Sequence, residues 1–308
     1  MAPGKSDGAA RASGPFWPSL TLAIVGLLWG LYWLPTRWMQ AHGLGPAWMS
    51  LIISAVALLG SMPLLLRDRQ QLRHLDAQAL FTGLLLASSF SLYNVSLVLT
   101  TVVNAVLLFY LSPIWSTVLG VWLLGERLRP QRIAALLLGL LGLTVVIGFE
   151  NGFPVPRQLG DWLALLSGMI WAYGSVRSYS GNAAGITGNV VAFNAGALAA
   201  SLALIVLLPV AAAGALPDAA TLLATLPVLV LLSLVFVLPT NVVMVWATQR
   251  LPAPRVGILL MTEVVAGTFS AALLAGETFG WRQIFGSALI IAAGMLEVMG
   301  RQSAGEKA

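Results

Sequence analysis

The 308-residue chain contains no cysteine, which excludes disulfides, thiolate metal ligands and cysteine nucleophiles. Its two histidines, His42 and His74, fall in expected loops, too few and too far apart for a metal site, so neither metal nor cofactor is expected. Charged side chains make up only 9% of the residues, too few to cover a water-soluble globule. What fills the chain instead is apolar: 58% hydrophobic residues and a mean hydropathy of +0.90. The net charge of +5 does not point to nucleic acid, because the basic residues lie in short gaps between apolar runs. The partner this composition requires is the lipid bilayer.

One stretch organises the rest. Leu107 to Leu128, LLFYLSPIWSTVLGVWLLGERL, returns 151 positions later as Ile258 to Phe279, ILLMTEVVAGTFSAALLAGETF. The copies share Leu108 with Leu259, Thr117 with Thr268, Leu123 with Leu274, Gly125 with Gly276 and Glu126 with Glu277. Each is long enough to cross the roughly 30 Å hydrocarbon layer as a helix. The duplication predicts a repeated membrane architecture.

The apolar runs predict ten spans, near 19–39, 46–66, 77–99, 102–124, 131–149, 158–178, 187–213, 220–249, 253–275 and 282–300. Breaks at Arg67-Asp68-Arg69 and Glu150-Asn151-Gly152 separate them. Residues 1–18 are expected to be disordered and cytoplasmic. They do not read as a signal peptide, because Trp29, Tyr32 and Trp33 stand where small residues should prepare cleavage. Two repeats, 19–149 and 158–300, are joined outside by 150–157, and 301–308 form a cytoplasmic tail. The fold class is thus an all-α polytopic membrane protein.

Orientation follows from the basic residues. With both termini inside, Lys5, Arg11, Arg67, Arg69, Arg73, Arg127, Arg129, Arg132, Arg177, Arg250, Arg255, Arg301 and Lys307 face the cytoplasm, against Arg37, Arg157 and Arg282 outside. Five spans per half is an odd number, so the second half crosses in the opposite sense. That is the inverted-repeat construction of many secondary transporters.

Tyr110-Leu-Ser-Pro113 with Gly125-Glu126-Arg127-Leu128, and Arg250-Leu-Pro252 through Glu263 to Gly276-Glu277 with Gly286, resemble the paired signature of the drug/metabolite transporter superfamily, EamA-type exporters. Trp29-Gly30 fits the same pattern. The resemblance implies a ten-helix carrier of small metabolites in the inner membrane, with a cavity between the halves. Similar members include exporters of amino acids, some preferring aromatic ones. Two departures stand out. Glu263 is followed by Val264 where the family usually has proline, which puts a proline-dependent kink in the ninth span in doubt. Trp171 is followed by Ala172 where a Trp-Gly pair would echo the first span.

Glu263 is the foremost candidate. It lies about eleven residues into its span, where an ionisable side chain must be neutral, paired or hydrated, and it can serve as a substrate or proton site. The plainer alternative is a protonated carboxyl clamping a neighbouring backbone. Gly267 and Ser270 continue its face, turned to other helices or to a cavity. The expected substrate site comprises Trp29, Trp33, Asn94, Tyr110, Trp171, Asn241 and Glu263, with Trp33 ranked as a cavity residue and Pro113 and Pro239 as hinges. Individually these residues also suit plain packing. Glu126 and Glu277 read as structural, beside Arg127, Arg129 and Arg132 and beside Arg282, and Glu297 is expected to pair with Arg301.

An intramembrane enzyme would need a nucleophile with its base, or a metal cluster, and the spans offer no histidine, lysine, cysteine, H-E-x-x-H or G-x-S-x-G. A channel would repeat its polar lining, yet the copies put Ser112 opposite Glu263. A scaffold would leave the midplane glutamate unexplained. The reading is therefore a secondary transporter of a small-molecule substrate, exporting a metabolite such as a hydrophobic or aromatic amino acid by alternating access; the alternatives are a passive facilitator or channel for small metabolites, or a non-transporting membrane scaffold. No Walker A motif is present, and no sequence feature sets an oligomeric state.

Overall fold

The computed structural model describes residues 16–68, 70, 76–148, 155–180, 185–276 and 279–299. Several expectations therefore lie outside the described residues: disorder over residues 1–15, the tail 301–308, the Glu150-Asn151-Gly152 break, Glu277, His74, and the placement of Lys5, Arg11, Arg69, Arg73, Arg301 and Lys307.

Ten long helices account for nearly all of the described chain: α1 Phe16–Ala41, α2 Pro46–Arg67, α3 Ala77–Leu99, α4 Val102–Leu124, α5 Pro130–Ile147, α6 Leu159–Tyr179, α7 Gly185–Leu207, α8 Ala219–Thr248, α9 Ala253–Ala275 and α10 Trp281–Met299. The first starts at Phe16, ahead of the expected Ser19, because Pro18 is tolerated in a first helical turn. The seventh stops at Leu207 instead of 213, and Pro209 caps a separate short turn, Val210–Ala213. Apolar side chains point outward all round, among them Trp122, Leu137, Val206 and Leu223, each at least 64% exposed. Lipid is the solvent that such a surface requires.

Nine of these helices are long and apolar enough to span a membrane among the described residues. The exception, α6, has the length but is diluted by Gly, Ser, Asp161 and Arg177. Its interior position explains this. Gly160, Asp161, Ser167, Gly168, Gly174 and Ser175 are all buried against protein, where small and polar residues permit close helix contact. Ser167 and Ser89 of α3 bond reciprocally, each hydroxyl donating to the other's carbonyl at 2.8–2.9 Å.

The packing obeys a pseudo-twofold relation in which each helix of the first half corresponds to the helix five places later. The pairs α2/α7, α4/α9 and α5/α10 pack on themselves across this axis. Further contacts are matched as well: α3 on α6 mirrors α8 on α1, and α4 on α6 mirrors α9 on α1. The 151-residue shift holds in detail. α4 is interrupted after Phe109 and resumes at Ser112, and α9 is interrupted after Leu260 and resumes at Thr262. Both end on a left-handed glycine, Gly125 at φ 64° and Gly276 at φ 70°, which is why the Gly-Glu step recurs.

α9 is interrupted although Val264 stands where the family usually has proline, so its break does not depend on one. Met261 and Val264 bond three residues back, and Thr262 Oγ1 lies 2.8 Å from the Leu259 carbonyl and 2.9 Å from that of Ala23 in α1. In α4 the restart carries Pro113 in its first turn, where the missing N–H costs no helical bond. In α8, Pro239 follows a π-helical segment, Leu232–Val237, which accommodates the ring. Glu297 approaches Arg132 across helices at 3.8 Å; its expected pairing with Arg301 lies outside the described residues.

The two halves meet through glycines. A Cβ on Gly168 would lie 2.6 Å from the Phe109 carbonyl at the α4 break, and one on the corresponding Gly26 would lie 3.3 Å from the Leu260 carbonyl at the α9 break. Gly168→Leu should therefore lower stability by about 1–3 kcal/mol or more, read as a fall in the thermal unfolding midpoint in detergent. Gly294→Ala, whose nearest neighbour would be 3.7 Å away, should leave the midpoint unchanged.

Candidate functional site

Interrupting α4 and α9 at one level places their ends beside the bundle centre, where two adjoining voids meet. The first lies among α1, α2, α3, α7 and α8 and is walled by Trp29, Tyr32, Ile53, Phe90, Ser91, Asn94, Phe193, Asn194, Asn241 and Met244. The second lies where α1 and α6 face the two broken helices, and is walled by Trp29, Phe90, Phe109, Tyr110, Ser112, Trp171, Met244, Leu260 and Glu263. Trp29, Phe90 and Met244 belong to both. The voids measure about 40 and 20 Å³, room for a few waters. A metabolite can enter only if the walls part.

Six of the seven expected site residues line these voids. Trp29 and Trp171 each stand three residues past the crossing glycines Gly26 and Gly168, so the pseudo-twofold relation sets one tryptophan opposite the other across the second void. Trp29 sits in an aromatic cluster, with ring centroids 4.8 Å from Tyr32, 4.9 Å from Phe90 and 5.4 Å from Phe236. Asn241 donates its amide to Asn194 Oδ1 at 3.2 Å. Asn94 is half-buried on the wall of the first void.

Trp33 is the seventh and stands elsewhere. Its indole donates to Ser270 Oγ at 2.9 Å, tying α1 to α9. The Gly267 and Ser270 face of α9 therefore meets α1, with Gly30 packed against the Glu263 carbonyl and Ala266. The helical repeat explains the difference: Trp29 and Trp33 share a stripe, but the turn at Gly30–Tyr32 interrupts α1 between them.

Glu263 occupies the first turn of the second α9 segment, facing the α4 break. The Tyr110 hydroxyl lies 3.0 Å from Glu263 Oε2 and 3.2 Å from the Leu260 carbonyl. One hydroxyl proton serves two acceptors, and this geometry suits both states of the carboxyl. When Glu263 is ionised, Tyr110 donates to it; when Glu263 is protonated, Glu263 donates to Tyr110, which then donates to Leu260. The side chain is only partly buried, so the void reaches it.

Two donors stand ready on the walls. Trp29 Nε1 and Asn194 Nδ2 are buried and have no acceptor among the described residues. Buried donors usually find partners, which makes these two notable on the wall of a void. Sequence reasoning missed Asn194, although the signal was present: an amide in the middle of the apolar run VVAFNAGALAA, as conspicuous as Asn94 or Asn241. Phe90, Phe193 and Met244 carried no such signal.

The sequence profile of the EamA-like transporter family matches residues 16–148 and again 158–298. The chain belongs to this family. The two matches fall on the two structural halves, and the EamA-like protein is accordingly a multi-pass membrane transporter of small molecules, within the drug/metabolite transporter superfamily. No curated protein matches it in sequence. A solved crystal structure of another protein covers 94% of this chain and 99% of its own at a TM-score of 0.74 and 21% identity, a likeness of fold.

The tryptophans should separate in their effects. Trp33→Phe loses the Ser270 bond and should cost on the order of 1 kcal/mol of stability while leaving substrate KM unchanged. Trp29→Phe should raise KM several-fold, as measured by flux into proteoliposomes.

Proposed function

We propose that this EamA-like transporter is a secondary exporter of a small amphipathic zwitterion, a hydrophobic or aromatic amino acid being the fitting class, working by alternating access. The observation that carries this reading is the combination on one set of walls of a carboxyl, two unpartnered donors and aromatic faces. Glu263 would receive the amine, the N–H groups of Trp29 and Asn194 the carboxylate, and Trp29, Trp171 and Phe90 the side chain. Asn94 and Asn241 complete the polar wall, and Tyr110 orients Glu263.

The Tyr110–Glu263 pair also suits a proton site, since exchange of the Tyr110 proton between two acceptors accompanies ionisation without repacking. Amine and proton would then compete for one carboxylate, the simplest route to antiport. Pro113 at the α4 break and Pro239 beside the π-helical segment are the proposed hinges, because helical hydrogen bonding is already interrupted there.

Labelled aromatic and branched amino acids presented to proteoliposomes with and without a pH gradient test the cargo and its coupling. Saturable flux that responds to the gradient is expected. Glu263→Gln should reduce it at least tenfold, and Asn194→Leu should raise KM about tenfold, the loss of a charge-assisted hydrogen bond of about 1.5 kcal/mol. Flux indifferent to the gradient marks a facilitator, and no flux across the panel overturns the amino-acid class.

The proposed location is the inner membrane with both termini in the cytoplasm. The chain has no cysteine of its own, so single replacements report cleanly. His42→Cys should react with a membrane-impermeant maleimide on intact cells, and Arg250→Cys only after the cells are opened. The reverse pattern would invert the topology.

A further inference from the structure

The first central void is shut at one end by contacts that involve none of its proposed cargo ligands. Met49 and Ser50, in the first turn of α2, line the void, and Ser50 Oγ lies 2.9 Å from Ser201 Oγ of α7, which closes the wall there. Beyond this pair, at the end of the bundle where α1 passes to α2 and α7 to α8, lies the connection 208–218. Its short turn, Val210–Ala213, packs on α2, α3 and α7, three of the five helices around the void.

The local sequence makes this connection a unit. Pro209 caps the turn, and the N–H groups of Ala213 and Gly214 bond back to the Pro209 and Val210 carbonyls at 3.0 and 2.8 Å. Gly214 then leaves at φ 91°, which favours glycine. Asp218 restarts the helix by capping α8, its carboxylate accepting from the Thr221 N–H at 2.7 Å. Val210 and Leu216 are exposed, whereas Ala213 is buried.

Little holds the unit on α2. A Cβ on Gly45 would lie 2.6 Å from Gly214 Cα, and one on Gly214 would lie 2.5 Å from Gly45 Cα, so backbone touches backbone. Gly45 has φ −69° and ψ 153°, open to any residue, so the contact and not the conformation requires glycine there. The Trp48 indole donates to the Gly214 carbonyl at 3.2 Å. Two bare backbones joined by one hydrogen bond can separate without dragging interlocked side chains past each other. A connection that only linked α7 to α8 would need neither the seat across three helices nor the matched glycines.

We propose that residues 208–218 are a lid on the central void, latched to α2 by the Gly45–Gly214 contact and the Trp48 bond, and that the lid lifts when the transporter opens to this end. The inference rests on the reading of the void as the cargo site, but its test measures access to the void and not transport, so failure of the amino-acid reading and failure of the lid are separate results.

The chain has no cysteine, so Ser54→Cys, one turn along α2 from Ser50 and on the void wall, supplies a single reporter thiol. Its rate of modification by a small, charged, membrane-impermeant methanethiosulfonate is measured in proteoliposomes, with the reagent confined to the membrane face from which His42→Cys reacts. Gly45→Val, which wedges the latch, should raise the rate about tenfold or more. Trp48→Phe, which removes only the hydrogen bond, should raise it about two- to tenfold. Gly142→Val is the control: its Cβ would meet the Gly286 carbonyl at 2.7 Å in the α5–α10 contact, away from the void. It should lower the thermal unfolding midpoint and leave the reporter at the parent rate. Parent rates in both latch variants, or a rise in Gly142→Val as large as theirs, overturn the proposal. The unfolding midpoint of each variant reports its folding, and Trp48→Phe decides the matter should Gly45→Val misfold.

Discussion

Where α6 crosses α4 and α1 crosses α9, backbone meets backbone at the points where the second helix is interrupted, and no side chain larger than hydrogen fits at Gly168. The cavity, the aromatic cluster and the placement of Glu263 depend on this pair of crossings. An interrupted helix in a membrane exposes carbonyls that lipid cannot satisfy. The crossing helix covers them, and Thr262 bridges the two helices at one of the crossings. Because the same construction occurs twice in opposite senses, the two breaks lie side by side and Trp29 and Trp171 face the space between them.

Polar groups inside the bundle fall into two sets. Those at helix contacts are paired: Ser89 with Ser167, Ser178 with Thr248, Arg177 with Thr82 and with the faces of Phe81 and Tyr173, and Asp161 with Thr100, Asn104 and two backbone N–H groups. Of those left without a partner among the described residues, Trp29 Nε1 and Asn194 Nδ2 border the void, while Trp115 Nε1, Ser175 Oγ, Gln249 Nε2 and Ser287 Oγ lie outside its walls. An unpaired donor is costly in a low-dielectric interior, and the two on the void wall are the ones the proposed cargo would satisfy.

The spans, their number and the duplication were legible in the sequence because each is a local property, a run of apolar residues or a repeated string. The central glutamate was legible because a lone ionisable residue in hydrocarbon must be neutral, paired or hydrated. Asn194 was equally conspicuous and was passed over. Trp33 was misplaced for a different reason: periodicity treats α1 as continuous, and the turn at Gly30–Tyr32 diverts its second half toward Ser270. α6 was recognised by length, although its composition is that of a helix surrounded by protein.

By itself, the sequence determined that this protein lives in a membrane, crosses it ten times and is built from two inverted halves, since hydropathy, span parity and internal repetition need no knowledge of contacts. Only the tertiary structure decided which polar residues are spent on helix packing and which face the void, that α9 breaks without a proline, and that Gly45 at the start of α2 meets Gly214 in the α7–α8 connection. These depend on which helices touch and at what depth, and helix contacts in a bilayer are set by small-residue packing and by pairing of polar groups from distant parts of the chain.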